Sequence, residues 1–291
     1  MPEGFWLPLA VQIAGLSETE GREVRNKLVD ASFAGLWSAV GAARKLDELG
    51  IGPGALAITL VNRDAYHCIR VRNYEADLSH ARIRLDDVLG PVGIERVEGE
   101  VVDISVGDQG VCVKLARTAE LRTFRYDRLI FALGSQLNRP SLPGLAEYAL
   151  DVDTYAAAAR LNAHLQSLPQ QPESPGQYNV VVAGAGLTGI EAATEMLGKL
   201  RATLAAAQMS RPFRVILIDH KPRIGSDMGD SARPVIEEAL QALGIETRTG
   251  VYITAIDSSG VTTRLGRVDS GSHGRLVRRD DRESARSAVW H

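Results

Sequence analysis

Only two cysteines occur in 291 residues, Cys68 and Cys112, and they stand in neither a C-x-x-C nor a C-x4-C spacing. No redox dithiol is readable from them and no metal is assigned; both are expected to be reduced, buried small hydrophobes. Long apolar runs are missing too: none approaches the ~20 residues of a transmembrane helix. Neither sign of charge dominates. The 33 Lys and Arg against 36 Asp and Glu leave a net charge of -3, which gives no field favouring nucleic acid or an anionic membrane. A secretory leader is poorly supported. In "MPEGFWLPLAVQIAGL", Glu3 stands where a basic n-region belongs, and no clear small-residue cleavage site follows. Residues 1–24 are expected to be a poorly ordered leader, with a signal peptide as the alternative. A cytoplasmic protein is the resulting expectation.

What is present is ordinary for a globular chain, 45% hydrophobic and 24% charged, with length enough for about two domains. From Lys27 onward strands and helices alternate. "KLV" leads into a helix from Phe33 to Leu49, and "AITLVN" at 57–62 reads as a buried strand. Residues 92–125 carry short strands of period two with Gly-Asp and Asp-Gln-Gly turns, an antiparallel meander set into an α/β frame. "RLIFALGS" returns to a continuous apolar strand. The helix "DTYAAAARLNAHLQSL" and the loop "PQQPESPGQ" mark a boundary, after which a second βαβ unit begins. It runs through strand "YNVVVAG", a helix to about Gln208, strand "RVILID", helix "SARPVIEEALQALG" and strands "IETRTG" and "VYITAID". The expected fold is therefore α/β with two Rossmann-like dinucleotide-binding domains, 25–149 and 150–265, whose parallel sheets carry an antiparallel insert. From Gly266 to His291 Arg, Ser, Asp and Gly dominate without apolar periodicity. Disorder is expected there, and the bias resembles out-of-frame translation of a GC-rich gene.

The two units differ in their turns. "VVVAGAGLTGIEAATE" holds a complete G-x-G-x-x-G at Gly184, Gly186 and Gly189, between a β-branched strand and a helix, and the next strand ends in Asp219. Gly184 suits a tight turn, Gly186 lets a pyrophosphate approach the backbone, and Gly189 lets helix and strand pack closely. The helix N-terminus offers N–H groups to phosphates, and Asp219 would accept from ribose hydroxyls. Glu191 and Glu195 share one helix face, where like charges repel by a few tenths of ~1 kcal/mol; either a local reason keeps both or they are solvated. In the first unit, "KLVDASFAGLWSAV" places Asp30, Ser32 and Gly35 at the three glycine positions.

Four stretches in order, "SFAGLW", "ITLVNRDAYH", "YDRLIFALGSQLN" and "VVVAGAGLTGIE", resemble the FAD-dependent pyridine nucleotide oxidoreductases, and among them the type II NADH dehydrogenases. A family motif similar to Y-D-x-L-x-x-A-T-G-S is matched at Tyr126, Asp127, Leu129, Ala132, Gly134 and Ser135, with Leu133 for Thr. The resemblance covers about residues 27–265. It implies FAD in the first domain, at Ser32, Gly35, Asn62, Ala132, Gly134 and Ser135, and NAD(H) in the second, at Gly184, Gly186, Gly189 and Asp219. Glu191 would lie near the nicotinamide as the candidate catalytic group. Hydride would pass from NADH by way of flavin to a quinone or similar acceptor. The family's habit further implies a homodimer, peripheral to the inner membrane face. Lack of a Cys pair in the first helix region argues against the disulfide-reductase branch.

Three departures accompany the likeness. A carboxylate at position 30, about 5 Å from a phosphate charge, would repel it by about 3 kcal/mol at an effective dielectric of 20. Asn62 replaces a ribose-binding acid, a weaker partner than a carboxylate. The family's final segment with its flavin-binding Gly-Asp is not found, since Gly107–Asp108 and Gly229–Asp230 precede its place and read as turns. FAD is thus expected to be weakly held or lost, and a truncated, non-catalytic NAD-binding remnant is the alternative. His67, Arg70 and Arg72 either face flavin or acceptor or are plain exposed loop residues. Asp219 points to NADH, while His220, Lys221 and Arg223 could ease binding of a 2′-phosphate. Phe33, Leu36 and Trp37 are expected to supply packing surface to the first unit.

Overall fold

The computed structural model describes residues 25–30, 33–52, 56–132, 140–226, 228–269 and 276–278. The chain divides into two compact units, 1–69 with 82–134, and 70–81 with 135–291.

In the first unit, β1 (Arg25–Asp30) leads to α1 (Phe33–Glu48) and β2 (Leu56–Asn62), and the two strands pair in parallel from Arg25↔Leu56 to Asp30↔Val61. Helix α1 forms on a small-residue sequence that buries Gly35, Leu36, Ala39, Ala42 and Leu46 along one stripe. That stripe packs with Leu56, Ile58 and Leu60 of β2. Phe33 and Trp37, expected to pack, are instead 67% and 59% exposed. At 100° per residue they fall opposite the stripe's centre. A short hairpin, β3 (Tyr66–Cys68) with β4 (Arg82–Arg84), precedes α2 (Leu85–Leu89). His67 is not an exposed loop residue but lies in β3, 5% exposed. Both cysteines are free and only half-buried.

Strand β5 (Glu95–Ser105) has two partners: residues 95–98 pair in parallel with β2, and residues 99–105 antiparallel with β6 (Gly110–Leu115). With β7 (Leu121–Arg125) this makes the expected meander, and β8 (Arg128–Ile130) closes the other edge beside β1. The sheet runs β7-β6-β5-β2-β1-β8. The strand expected through Ser135 stops at Ile130, and its residues 133–135 lie outside the described ones.

The second unit opens with α3 (Leu145–Tyr148), β9 (Ala149–Asp151) and α4 (Tyr155–Ser167), whose cap Thr154 accepts from the Ala157 N–H at 3.2 Å. Then come β10 (Val180–Ala183), α5 (Leu187–Ala206), β11 (Val215–Ile218), α6 (Arg233–Ala242) and β12 (Glu246–Arg248). A three-stranded antiparallel sheet follows, β13 (Ile253–Asp257), β14 (Gly260–Thr263) and β15 (Gly266–Asp269), and last β16 (Leu276–Arg278). The main sheet is all parallel, β12-β11-β10-β16-β9. Strands β10 and β11 are buried along their whole length, as the continuous β-branched run requires. Val180, Val182, Val215 and Leu217 join the core with Leu161, Met196 and Leu200 of the helices. Val181, Ala183, Ile216 and Ile218 join the core with Ile256, Val261 and Val268 of the small sheet.

By their contacts and pairing, α3, β9 and the segment 70–81 group with the second sheet's unit. Arg70 pairs with Asp153, buried Asn73 donates to the Asp153 carbonyl at 3.3 Å, and Asn162 donates to the Ala76 carbonyl at 3.1 Å. Leu78 and Ala81 complete the seam against Ala158. Past Gly266, β15 pairs with β14, and β16 lies between β10 and β9.

Candidate dinucleotide site

The second unit's turn is built as its sequence demands. Gly184 has φ +96°, a left-handed conformation that favours glycine, and its N–H donates to the Ile218 carbonyl at 2.8 Å. A Cβ on Gly189 would stand 1.7 Å from the Gly184 carbonyl oxygen, so only glycine allows α5 to lie this close to the turn. Gly186 is the N-cap of α5, and no side chain caps the helix there. The first intrahelical bond is from Ile190 N–H to the Gly186 carbonyl, 3.0 Å. The earlier N–H groups therefore point out of the helix end with its partial positive charge, the arrangement that receives a phosphate.

Asp219 follows β11 and is 7% exposed. One carboxylate oxygen accepts the N–H of Ala185 inside the glycine turn, and the other accepts the N–H of Lys221 at 2.7 Å. The acid thus ties the glycine turn to the loop after β11, with His220 Nδ1 3.3 Å from Oδ1.

Glu191 and Glu195 share a face of α5 and are both half-buried. The Tyr74 hydroxyl is hydrogen-bonded to Glu191; burial first, then that carboxylate, pushes the phenol up to about 12, so Tyr74 acts as the donor. One turn past Glu195 lies Lys199, 5% exposed, whose Nζ donates to Asn162 Oδ1 at 2.6 Å. Burial pushes this ammonium down to about 8, with Glu195 acting the other way. Tyr74, Asn162 and Lys199 were not readable as site neighbours. Lys199 alone had a signal, the i, i+4, i+8 spacing with the two acids; Tyr74 reaches α5 from over a hundred residues away in sequence.

In the first unit Gly35 is buried in α1 and Ala132 is half-buried just past β8. Ser32, Gly134 and Ser135 lie outside the described residues. Asn62 folds its amide onto its own loop, Nδ2 donating to the carbonyls of Asp64 at 2.9 Å and Tyr66 at 3.1 Å. Tyr126 and Leu129 of the second matched motif pack against the core of the meander. Phe33 stands beside His67, ring centroids 6.2 Å apart. Arg70 belongs to the second unit, and Arg72 pairs locally with Glu75 at 3.4 Å. Among the described residues no group of three His, Cys, Asp or Glu could hold a metal, and no helix is long and apolar enough to cross a membrane.

A strand–glycine turn–helix in one unit and a βαβ unit with a meander in the other define a two-dinucleotide fold. The chain belongs to the pyridine nucleotide-disulphide oxidoreductase family, whose sequence model matches residues 29–277 and so runs past Gly266. It is 51% identical over 239 residues to an NADH dehydrogenase-like protein of Mycobacterium tuberculosis, covering 82% of this chain and 58% of the relative. A type II NADH:quinone oxidoreductase of the same organism is 25% identical over 259 residues, covering 84% and 54%. The chain thus spans little more than half the length of these relatives. In fold it is similar to NDH2 of Plasmodium falciparum solved with NADH, with a TM-score of 0.71 at 14% identity over 89% of this chain and 55% of that one.

Proposed function

We propose that this protein is an FAD-dependent, NADH dehydrogenase-like oxidoreductase that takes hydride from NADH and delivers its electrons to a quinone-like acceptor. One observation carries the reading: the Gly184–Gly189 turn combines a left-handed Gly184, a carbonyl that leaves no room for a Cβ at Gly189, and an uncapped helix end. Pyrophosphate oxygens would receive the N–H groups at the start of α5, and Glu191, held by Tyr74, would lie toward the nicotinamide. The relatives' printed names support the quinone acceptor; a peripheral place at the inner membrane face and a homodimer rest on the family resemblance alone.

FAD would be held by the first unit, at the turn between β1 and α1 with Ser32 and Gly35, at Asn62, and at Ala132, Gly134 and Ser135. When bound it supplies the two-electron carrier chemistry. The scaffold fits: β1 and β2 run parallel, and Gly35 is buried in the intervening helix. The fit is weakest at Asn62, whose amide N–H groups are already directed to its own loop.

The reading is tested by NADH oxidation with a soluble quinone and added FAD. Turnover should require both and should be lost in Gly186→Val, whose branched side chain would occupy the pyrophosphate's path. Equal NADH affinity in wild type and Gly186→Val would place the site elsewhere.

A further inference from the structure

We propose that His220 and Arg264, both packed against Tyr252, make the coenzyme mouth accept a 2′-phosphate, so that the chain binds NADPH at least as tightly as NADH. The inference rests on the reading that the Gly184 turn holds a nicotinamide dinucleotide.

In a βαβ dinucleotide site the adenosine ribose lands at the end of the second strand, where an outward acid selects NADH and a nearby Arg accommodates a 2′-phosphate. Here the second strand is β11 and the acid is Asp219. Its carboxylate is turned inward, one oxygen on the Ala185 N–H and the other on the Lys221 N–H. At 7% exposure it presents little surface to a ligand. The imidazole of His220 stands over Oδ1 at 3.3 Å and is itself 51% exposed.

The outward groups are cationic and aromatic. Tyr252 is half-exposed, with the His220 ring 5.8 Å away and the Arg264 guanidinium 4.6 Å from its centroid. Arg264 sits in the two-residue turn between β14 and β15, held by its own N–H on the Tyr252 carbonyl at 3.0 Å. Thr263 fixes that turn, its hydroxyl donating to the Gly266 carbonyl at 2.6 Å and accepting the Leu265 N–H at 3.2 Å. Among the described residues Arg264 has no carboxylate partner. Glu246, on the strand paired with β11, is held on both oxygens by Arg214 and lies 3.5 Å from Arg248. A planar guanidinium held over a ring is pre-organised for a phosphate dianion.

Calorimetric titration of the whole chain with NADH and with NADPH is the test, alongside adenosine 2′,5′-bisphosphate and adenosine 5′-phosphate. NADPH should bind as tightly as NADH or tighter, and the bisphosphate should bind more tightly than the monophosphate. Arg264→Ala should lower the ratio of NADPH to NADH affinity by about tenfold or more, and Arg264→Lys should restore part of it. NADH binding with NADPH about tenfold weaker, or an Arg264→Ala effect equal on both coenzymes, overturns the proposal and leaves the oxidoreductase reading standing. Binding of neither coenzyme overturns both.

Discussion

Replacing Gly189 by Ala adds one methyl group, and the structure says where it must go. The new Cβ would lie 1.7 Å from the Gly184 carbonyl oxygen and 2.8 Å from its carbon, both backbone atoms that no rotamer change can move aside. Relief requires more than an ångström of movement by α5 or by the turn itself. Overpacking of this kind costs ~1–3 kcal/mol, and a backbone obstacle places it at the upper end, about 3 kcal/mol. The same displacement carries the N–H groups of the helix end off the pyrophosphate, so NADH affinity should fall by about a hundredfold or more. Gly198 on the same helix is the control: a Cβ there meets nothing within 4 Å. Gly198→Ala should stabilise the protein by about 0.5–1 kcal/mol through helix propensity and leave NADH affinity unchanged. Denaturant unfolding and NADH fluorescence titration of both variants check the pair. A Gly189→Ala protein that unfolds and binds like wild type would refute the close-packed turn.

Three further outcomes follow from the described geometry. Burial holds Lys199 at about 8 against an ordinary 10.5, so between those pH values the unfolded chain carries the extra proton and stability must rise with pH. The rise amounts to about 3 kcal/mol, opposed above pH ~10 by Tyr74, whose raised phenol loses stability there; Lys199→Met should abolish it, and an unchanged pH slope would contradict the assignment. Tyr74→Phe removes the donor to Glu191 and should cost about 1 kcal/mol, largely absent when Glu191→Gln is already present, as a double-mutant cycle in denaturant would show. The protein should purify with well under stoichiometric flavin by absorbance, Asp30→Gly recovering only part; full FAD surviving gel filtration would contradict the weak first site.

The second unit was legible because each of its signals was local. The run Val180–Ala183, the three glycines and the small-residue helix are contiguous, and each demands its geometry from its neighbours alone. The role of Asp219 was half legible: its position after β11 is local, but its capture by the Ala185 and Lys221 amides depends on how two loops meet. The segment 70–81 was illegible, since its anchors Asp153, Asn162 and Glu191 are distant from it in sequence. Phe33 and Trp37 show the limit of counting apolar residues, because helix phase, not hydrophobicity, decides which face they occupy.

The central claim is that NADH binds at the Gly184 turn and gives up its hydride within this chain. Anaerobic mixing of the FAD-supplemented protein with NADH tests it directly, with the visible flavin band as readout. Bleaching of that band at a rate that saturates with NADH, and that Gly186→Val abolishes, is the predicted result. A band that persists in the presence of bound NADH, or that bleaches equally in Gly186→Val, would contradict the account.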